Sequence, residues 1–469
     1  MQSIPFSGRM VMLGCGSIGQ GVLPLILRHI EMPRERIHIL TADQRGHNVA
    51  DEFGVSITVQ PLTRENYRAL LTPLLGPGDF LLNLSVDVSS VALISLCREL
   101  GALYLDTCIE PWAGGYTDPT LTPSQRSNYA LRASALQLRD SRPGAPTALL
   151  THGANPGLVS HFVKVALLNI ARDTGTSSAV PANRDEWADL AEKLGINVIH
   201  IAERDTQLSE RAKRPGEFVN TWSIDGFAGE GRQPAELGWG THERTLPPDG
   251  RRHDFGNGAA IYLLRPGAST RVRTWTPLEG PFHGFLITHN EAISIADYYT
   301  KTEGNGTVRY RPTVHYAYHP CDDAVLSVHE LAGKNWQLQP EQRLMMDEIT
   351  GGIDELGVLL MGHARNAYWY GSRLSIDQAR GLVKYNNATS LQVTAAVLGG
   401  IVWVIENPRV GIVEADDIDH TRVLEMALPY LGEMAGVYSD WTPLVSRGVL
   451  FPEDVDASCP WQFGNFRVS

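Results

Sequence analysis

Arg9-Met-Val-Met-Leu-Gly14-Cys-Gly16-Ser-Ile-Gly19 is an apolar run that breaks into G-x-G-x-x-G. In this pattern the first glycine takes the tight turn, the second lets the backbone approach a pyrophosphate, and the third lets the following helix pack on the strand with its first N–H groups facing the anion. Gly14, Gly16, Ser17, Ile18 and Gly19 are therefore candidate cofactor contacts. A second strand, Arg36-Ile-His-Ile-Leu-Thr-Ala-Asp43, ends in a carboxylate, where an NAD ribose is expected to be held. A glycine triplet alone says little, but strand, triplet, helix and terminal acid in this order predict an α/β fold with an N-terminal Rossmann-type, doubly wound parallel sheet. The protein-kinase glycine loop asks for valine where Gly21 stands, and for V-A-I-K and H-R-D further on, neither of which occurs.

The pattern continues outward from this motif. Val55-Ser-Ile-Thr-Val, Phe80-Leu-Leu-Asn-Leu-Ser-Val and Ala102-Leu-Tyr-Leu-Asp106 read as buried strands. Between them, helices are expected at Asn66-Tyr-Arg-Ala-Leu-Leu and from Ser89 to Gly101, the latter capped by serine and ended by glycine. The loop Thr107-Cys-Ile-Glu110-Pro-Trp112 then falls at a carboxyl end of the sheet, the edge where open α/β folds bind ligands. Asn128 to Arg139 reads as a basic amphipathic helix, Asp140 to Pro146 as a turn-rich break, and Thr147-Ala-Leu-Leu-Thr as a strand running into His152-Gly-Ala-Asn155-Pro-Gly157. A helix from about Leu158 to Ala171 links this unit to the next.

With 469 residues, more than one domain is expected. The reading is an NAD-binding domain over 1–155, an α+β substrate domain with a mainly antiparallel sheet over 156–385, and a segment 386–469. This last segment opens with a buried helix at Asn386-Asn-Ala-Thr-Ser-Leu-Gln-Val-Thr-Ala-Ala-Val-Leu-Gly-Gly and either returns to the first domain or stays apart from it.

Composition narrows the class. Hydrophobic residues make up 43% and charged residues 20%, as in a soluble globular protein, and no apolar stretch is expected to reach membrane-span length. The opening residues show no basic region followed by an apolar core, so a signal peptide is not expected. A net charge of −12 disfavours nucleic acid and favours cationic small molecules. Cys15, Cys97, Cys108, Cys321 and Cys459 are odd in number and form no C-x-x-C pair, which reads as reduced thiols in the cytoplasm. With no zinc framework and no H-E-x-x-H, no metal is expected.

The densest set of chemically capable residues lies in the second unit: Ala202-Glu203-Arg-Asp205, Val219-Asn-Thr-Trp222-Ser-Ile-Asp225-Gly-Phe-Ala-Gly-Glu230, and Gly284-Phe-Leu-Ile-Thr-His289-Asn-Glu291. Acids at strand ends beside a tryptophan suit an aliphatic ammonium, through charge pairing and attraction to the ring face. Read from spacing alone, Trp222 also suits core packing, and the acids suit a solvated surface. His289 follows an apolar strand and is a candidate proton carrier near neutral pH, or a structural histidine.

Taken together, the segments Gly14–Gly19, Leu105–Trp112, Gly153–Gly157, Asn220–Asp225, Thr288–Ala292 and Gly352–Val358 resemble the bacterial homospermidine synthases, of the saccharopine dehydrogenase-like group. The resemblance covers nearly the whole chain. It implies a transferase in which NAD is a recycled hydride carrier. Putrescine, or spermidine, is oxidised to an imine, a second putrescine displaces ammonia or diaminopropane, and reduction yields homospermidine. On this resemblance Glu203 or His289 is the base, Glu230 pairs with an ammonium, Trp222 steadies the reacting end, and Asn155 orients an amine or the nicotinamide. Glu110 and Asp354 are expected to anchor the distal ammonium or the channel mouth, with Asp87 and Thr107 as further cofactor contacts. Arg45, two residues beyond Asp43, leaves NADP open. Two alternatives remain: a saccharopine- or carboxyspermidine-type reductase, whose carboxylate substrates call for clustered arginines, and a non-catalytic NAD sensor. A homodimer is expected as the commonest soluble assembly.

Overall fold

Met10–Leu13 is buried at every position, as an apolar run without alternation must be when helices cover both faces of a parallel sheet. A computed structural model describes residues 3–139, 144–177 and 179–468. In it this strand pairs in parallel with Ile37–Thr41 on one side and Phe80–Asn83 on the other. The whole sheet has seven strands, in the order Ile412–Glu414, Ala148–Leu150, Leu103–Asp106, Phe80–Asn83, Met10–Leu13, Ile37–Thr41, Ser56–Val59, and every pair is parallel. Chain order reverses at Met10–Leu13, which creates a crevice beyond its carboxyl end. The helix Ser90–Leu100 is capped by the Ser89 hydroxyl and stopped by Gly101 in the left-handed region, as its sequence signals predict. Of the expected break after the helix Asn128–Leu136, residues 140–143 lie outside the described residues.

The second domain is built on a ten-stranded, mainly antiparallel sheet. Val198–Asp205 runs through its middle, parallel to Thr313–His319 and antiparallel to Ile353–His363. Val308–Tyr310 and Thr313–His319 are separate strands. Pro312 lies between them, where it has no N–H to give a ladder. The helix Leu158–Asp173 packs against Ile353–His363 and Asn366–Ser375. A separate cluster that includes Trp369, Trp441, Trp461 and Phe466 covers other residues of the same sheet.

The C-terminal segment serves both sheets. Ile412–Glu414 forms the edge of the first, and Glu433–Ser439 pairs with Asn366–Ser375 in the second. The helix Ala388–Glu406 corrects the expectation that no apolar stretch reaches membrane-span length. Its 19 residues, at a mean hydropathy of 1.7, are long and apolar enough by length and composition, yet 89% of its apolar stretch is buried inside the protein. A helix apolar on all sides needs cover on all sides, and here protein supplies it. It packs against the helix Ser17–His29, where Asn386 Nδ2 donates to the Gly21 carbonyl at 3.1 Å. A Cβ on Gly21 would stand 2.3 Å from Asn386 Oδ1, so the contact requires glycine.

Candidate active site

The two domains enclose a cavity of about 600 Å³ at the carboxyl ends of the parallel strands, a size typical of cofactor and ligand sites. At one end lies the glycine turn. Gly14 has φ +90°, and a Cβ there would press within 2.8 Å of the Leu84 carbonyl oxygen. A Cβ on Gly19 would fall 2.5 Å from the Gly14 carbonyl, whereas nothing lies within 4 Å of one on Gly16. Two glycines are thus required by close backbone approach, and the third leaves open space at the N-terminus of Ser17–His29. Asp43 lies two residues past the strand Ile37–Thr41 and holds Arg45 through Oδ2, with Nε at 2.8 Å and Nη2 at 2.7 Å. That bond holds the Asp43 carboxyl below the usual carboxylate range. Cys15 beside the turn is no thiolate: burial, helped by the Asp43 charge, pushes it up to about 11.

The other end is acidic and aromatic. Glu203 projects from Val198–Asp205, and its Oε2 accepts from Asn155 Nδ2 at 2.8 Å and from the Tyr316 hydroxyl. Burial pushes Glu203 up to about 7, against the lowering effect of those two donors. His289 Nε2 stands 3.0 Å from Glu230 Oε2, and its Nδ1 stands 3.3 Å from Glu291 Oε1. Burial disfavours the imidazolium, but the two carboxylates prevail and hold His289 protonated well above its ordinary range. Glu110 is pushed up to about 8 by burial and by the charge of Glu230. Trp222 is half-buried, faces the same cavity, and donates from Nε1 to the Tyr318 hydroxyl at 3.0 Å.

Glu203, Trp222, Glu230, His289, Asn155, Glu110, Asp87 and Thr107 line one space with Gly14, Gly16, Ser17, Ile18 and Asp43. Two candidates sit elsewhere. Gly19 lies behind the turn it lets close. Asp354, expected at a channel mouth, is fully buried, opposite Asp205 in the sheet register, and bonds Thr389, whose side borders the cavity. Burial first, then the charges of Glu203 and Asp205, push its carboxyl well up. Two local readings also change. Glu230 lies on the helix Ile224–Arg232 rather than at a strand end, and His289 is the residue that opens the helix Asn290–Tyr298. The sequence reading passed over Tyr316 and Tyr318, and named Glu291 without giving it a role. The period-two Tyr316-Ala-Tyr318 on a strand was the available signal, since its register sets Tyr318 opposite Glu203. Glu291 is a first-turn acid whose burial no sequence pattern reveals.

Comparison with known proteins agrees with this architecture. The family model described as the saccharopine dehydrogenase NADP binding domain matches residues 10–149, and the saccharopine dehydrogenase C-terminal domain matches residues 153–439. Homospermidine synthase of Blastochloris viridis is 56% identical over 98% of this chain and 97% of its own length. That of Mesorhizobium japonicum is 52% identical over 98% and 96%. A crystal structure of the Legionella pneumophila homospermidine synthase in complex with NAD superimposes with a TM-score of 0.93 at 51% identity, covering 100% of this chain and 99% of that one. Saccharopine dehydrogenase from Saccharomyces cerevisiae, at 10% identity and a TM-score of 0.50 over 92% of this chain and 100% of that one, shares the fold alone. By full-length identity and by both domain matches, the chain belongs to the homospermidine synthase family of saccharopine dehydrogenase-like proteins.

Proposed function

We propose that this protein is a homospermidine synthase that holds NAD as a resident redox group and transfers an aminobutyl group from putrescine, or spermidine, to a second putrescine. The observation that carries the reading is the charge of the cavity. Its substrate end presents Glu110, Glu203 and Glu230 beside Trp222, and among the described residues that line it the single Lys or Arg is Arg45, tied to Asp43 at the far end. A diammonium substrate supplies counter-charge to the acids that the His289 imidazolium leaves unpaired. A reductase of amino acids would need a free cation where this site has carboxylates, and His289 is already engaged by Glu230 and Glu291.

Gly14, Gly16, Ser17 and Ile18 would hold the cofactor pyrophosphate, Asp43 the adenosine ribose, and Asp87 and Thr107 the stretch beyond. NAD, when bound, takes a hydride from the amine-bearing carbon and returns it to the new carbon–nitrogen double bond. The chain's own part is proton transfer and positioning. Hydride leaves only from a neutral amine, so an arriving ammonium must first lose a proton. Glu203 takes that role: Oε2 is held by Asn155 and Tyr316, leaving Oε1 for the substrate, and its elevated pKa is matched to neutral pH. His289, held protonated, serves as the acid that returns a proton to departing ammonia. We also assign a homodimer, to be read by light scattering, and a cytoplasmic setting that suits five free cysteines.

Incubation with putrescine and NAD, with polyamines read by mass spectrometry and reduced cofactor by absorbance, tests the reading. Homospermidine and ammonia should form without accumulation of NADH. Steady NADH release without a longer polyamine would replace the transferase with an amine dehydrogenase, and no turnover would favour a sensor.

Two substitutions probe the ends of the cavity. Trp222→Ala should lower kcat/KM for putrescine about 5- to 30-fold, the value of a desolvated cation–π contact near 1–2 kcal/mol, while Trp222→Phe keeps part of it. Asp43→Ala removes the ribose acceptor and frees Arg45. NAD affinity should fall on the order of tenfold to a hundredfold, and NADP should gain relative to NAD in a fluorescence titration; an unchanged ratio would place the ribose elsewhere.

A further inference from the structure

His289 is flanked by two residues that both reach across to the first domain. On one side, the Thr288 hydroxyl donates to Glu236 Oε2 at 2.6 Å and accepts from Asn128 Nδ2 at 3.3 Å. On the other, Asn290 Nδ2 donates to Thr151 Oγ1 at 3.2 Å, and the Thr151 N–H is held by Asp106 Oδ1 at 2.6 Å. Glu236 is fully buried on the strand Pro234–Gly238 of the second domain. Its carboxylate also takes the first two N–H groups of the first-domain helix Asn128–Leu136, Asn128 N at 2.8 Å and Tyr129 N at 3.2 Å. An acid at a helix N-terminus meets both free donors and the positive end of the helix dipole. Here it comes from the other domain.

We infer that Glu236 is a positioning residue, which through Thr288 makes the docking of the two domains set the place of His289 between Glu230 and Glu291. The geometry favours this over simple structural support. One carboxylate oxygen, Oε2, serves both the helix N-terminus and the hydroxyl next to His289, so a shift of the helix is a shift of Thr288. His289 opens Asn290–Tyr298 without a side-chain cap of its own, so its backbone takes its place from these neighbours.

The inference rests on the functional reading above, and the test separates the two. Thr288→Val cuts the link to His289 but leaves Glu236 on the helix; Thr288→Ser keeps the hydroxyl; Glu236→Gln weakens both ends. For Thr288→Val and Glu236→Gln, kcat should fall about tenfold to a hundredfold, the cost of a small misplacement, with NAD affinity and the KM for putrescine within about twofold. Thr288→Ser should restore wild-type kcat. In 15N-histidine NMR, the His289 ring should titrate at lower pH in Thr288→Val than in wild type, a readout that needs no turnover. Folded Thr288→Val and Glu236→Gln proteins with wild-type kcat and an unmoved His289 titration would overturn the inference. A wild-type protein that makes no homospermidine would overturn the functional reading instead, leaving the NMR result to decide on positioning.

Discussion

Glu203→Gln lowers kcat for homospermidine formation by about 10²–10⁴, the range spanned by loss of a general base, and leaves NAD affinity unchanged. Glutamine preserves the shape: its carbonyl oxygen can still accept from Asn155 and Tyr316, as Glu203 Oε2 does. It cannot take a proton, so the substrate ammonium stays mostly charged and hydride leaves only from its small neutral fraction. The pH profile carries the same signature. Glu203 must be ionised to act, and burial pushes it up to about 7, so the wild-type rate should fall as pH drops through that value. In the residual activity of Glu203→Gln that acidic limb should be absent. Product formation followed from pH 5 to 10 checks both points, and a variant with more than half of wild-type kcat would remove Glu203 from the mechanism.

Glu230→Gln is the second large effect, and it acts through His289. The imidazolium sits in a buried space between Glu230 and Glu291. Breaking a buried charge pair by removing one partner costs about 3–5 kcal/mol, and the substrate ammonium loses the same carboxylate. Catalytic efficiency should fall by about 10²–10⁴, with KM for putrescine rising. The sign of the pH effect follows from the charges. His289 is held protonated above its ordinary range, so activity that needs the imidazolium is present at neutral pH and lost as pH rises through the folded value. Without Glu230 that basic limb moves to lower pH. Glu110, pushed up to about 8 by burial and by Glu230, should ionise more easily in the variant. Steady-state kinetics across pH decides; an unmoved basic limb would mean that Glu230 does not hold His289 charged.

Much of the first domain was legible from local pattern. The run through Gly14, Gly16 and Gly19, the serine and glycine that bound Ser90–Leu100, and the carboxylate just past Ile37-His-Ile-Leu-Thr all report on backbone geometry within a few residues. Such geometry is dictated locally, by sterics and by the free N–H groups of a helix start. The candidate site was legible as a set of residue types, since acids beside a tryptophan suit an amine wherever they meet. Where they meet was not. Glu203 comes from a strand, Glu230 from a helix, His289 from a helix start and Asn155 from a first-domain loop, and long-range strand register brings them together.

Asp354 and the helix Ala388–Glu406 mark the limit of that reading. Asp354 has the residue type and the motif of a substrate anchor, but strand pairing opposite Asp205 puts it behind the cavity. Ala388–Glu406 has the composition of a membrane span, but elements of both domains pack against it. By itself the sequence determined the Rossmann sheet, the glycine turn and the acidic, aromatic chemistry of the site, because each depends on neighbours along the chain. Only the tertiary structure decided which acids face the cavity, that His289 lies between two carboxylates, and that the C-terminal segment completes both sheets. Burial and charge pairing are set by residues distant in sequence, and a carboxylate's pKa and role follow from that company rather than from its own identity.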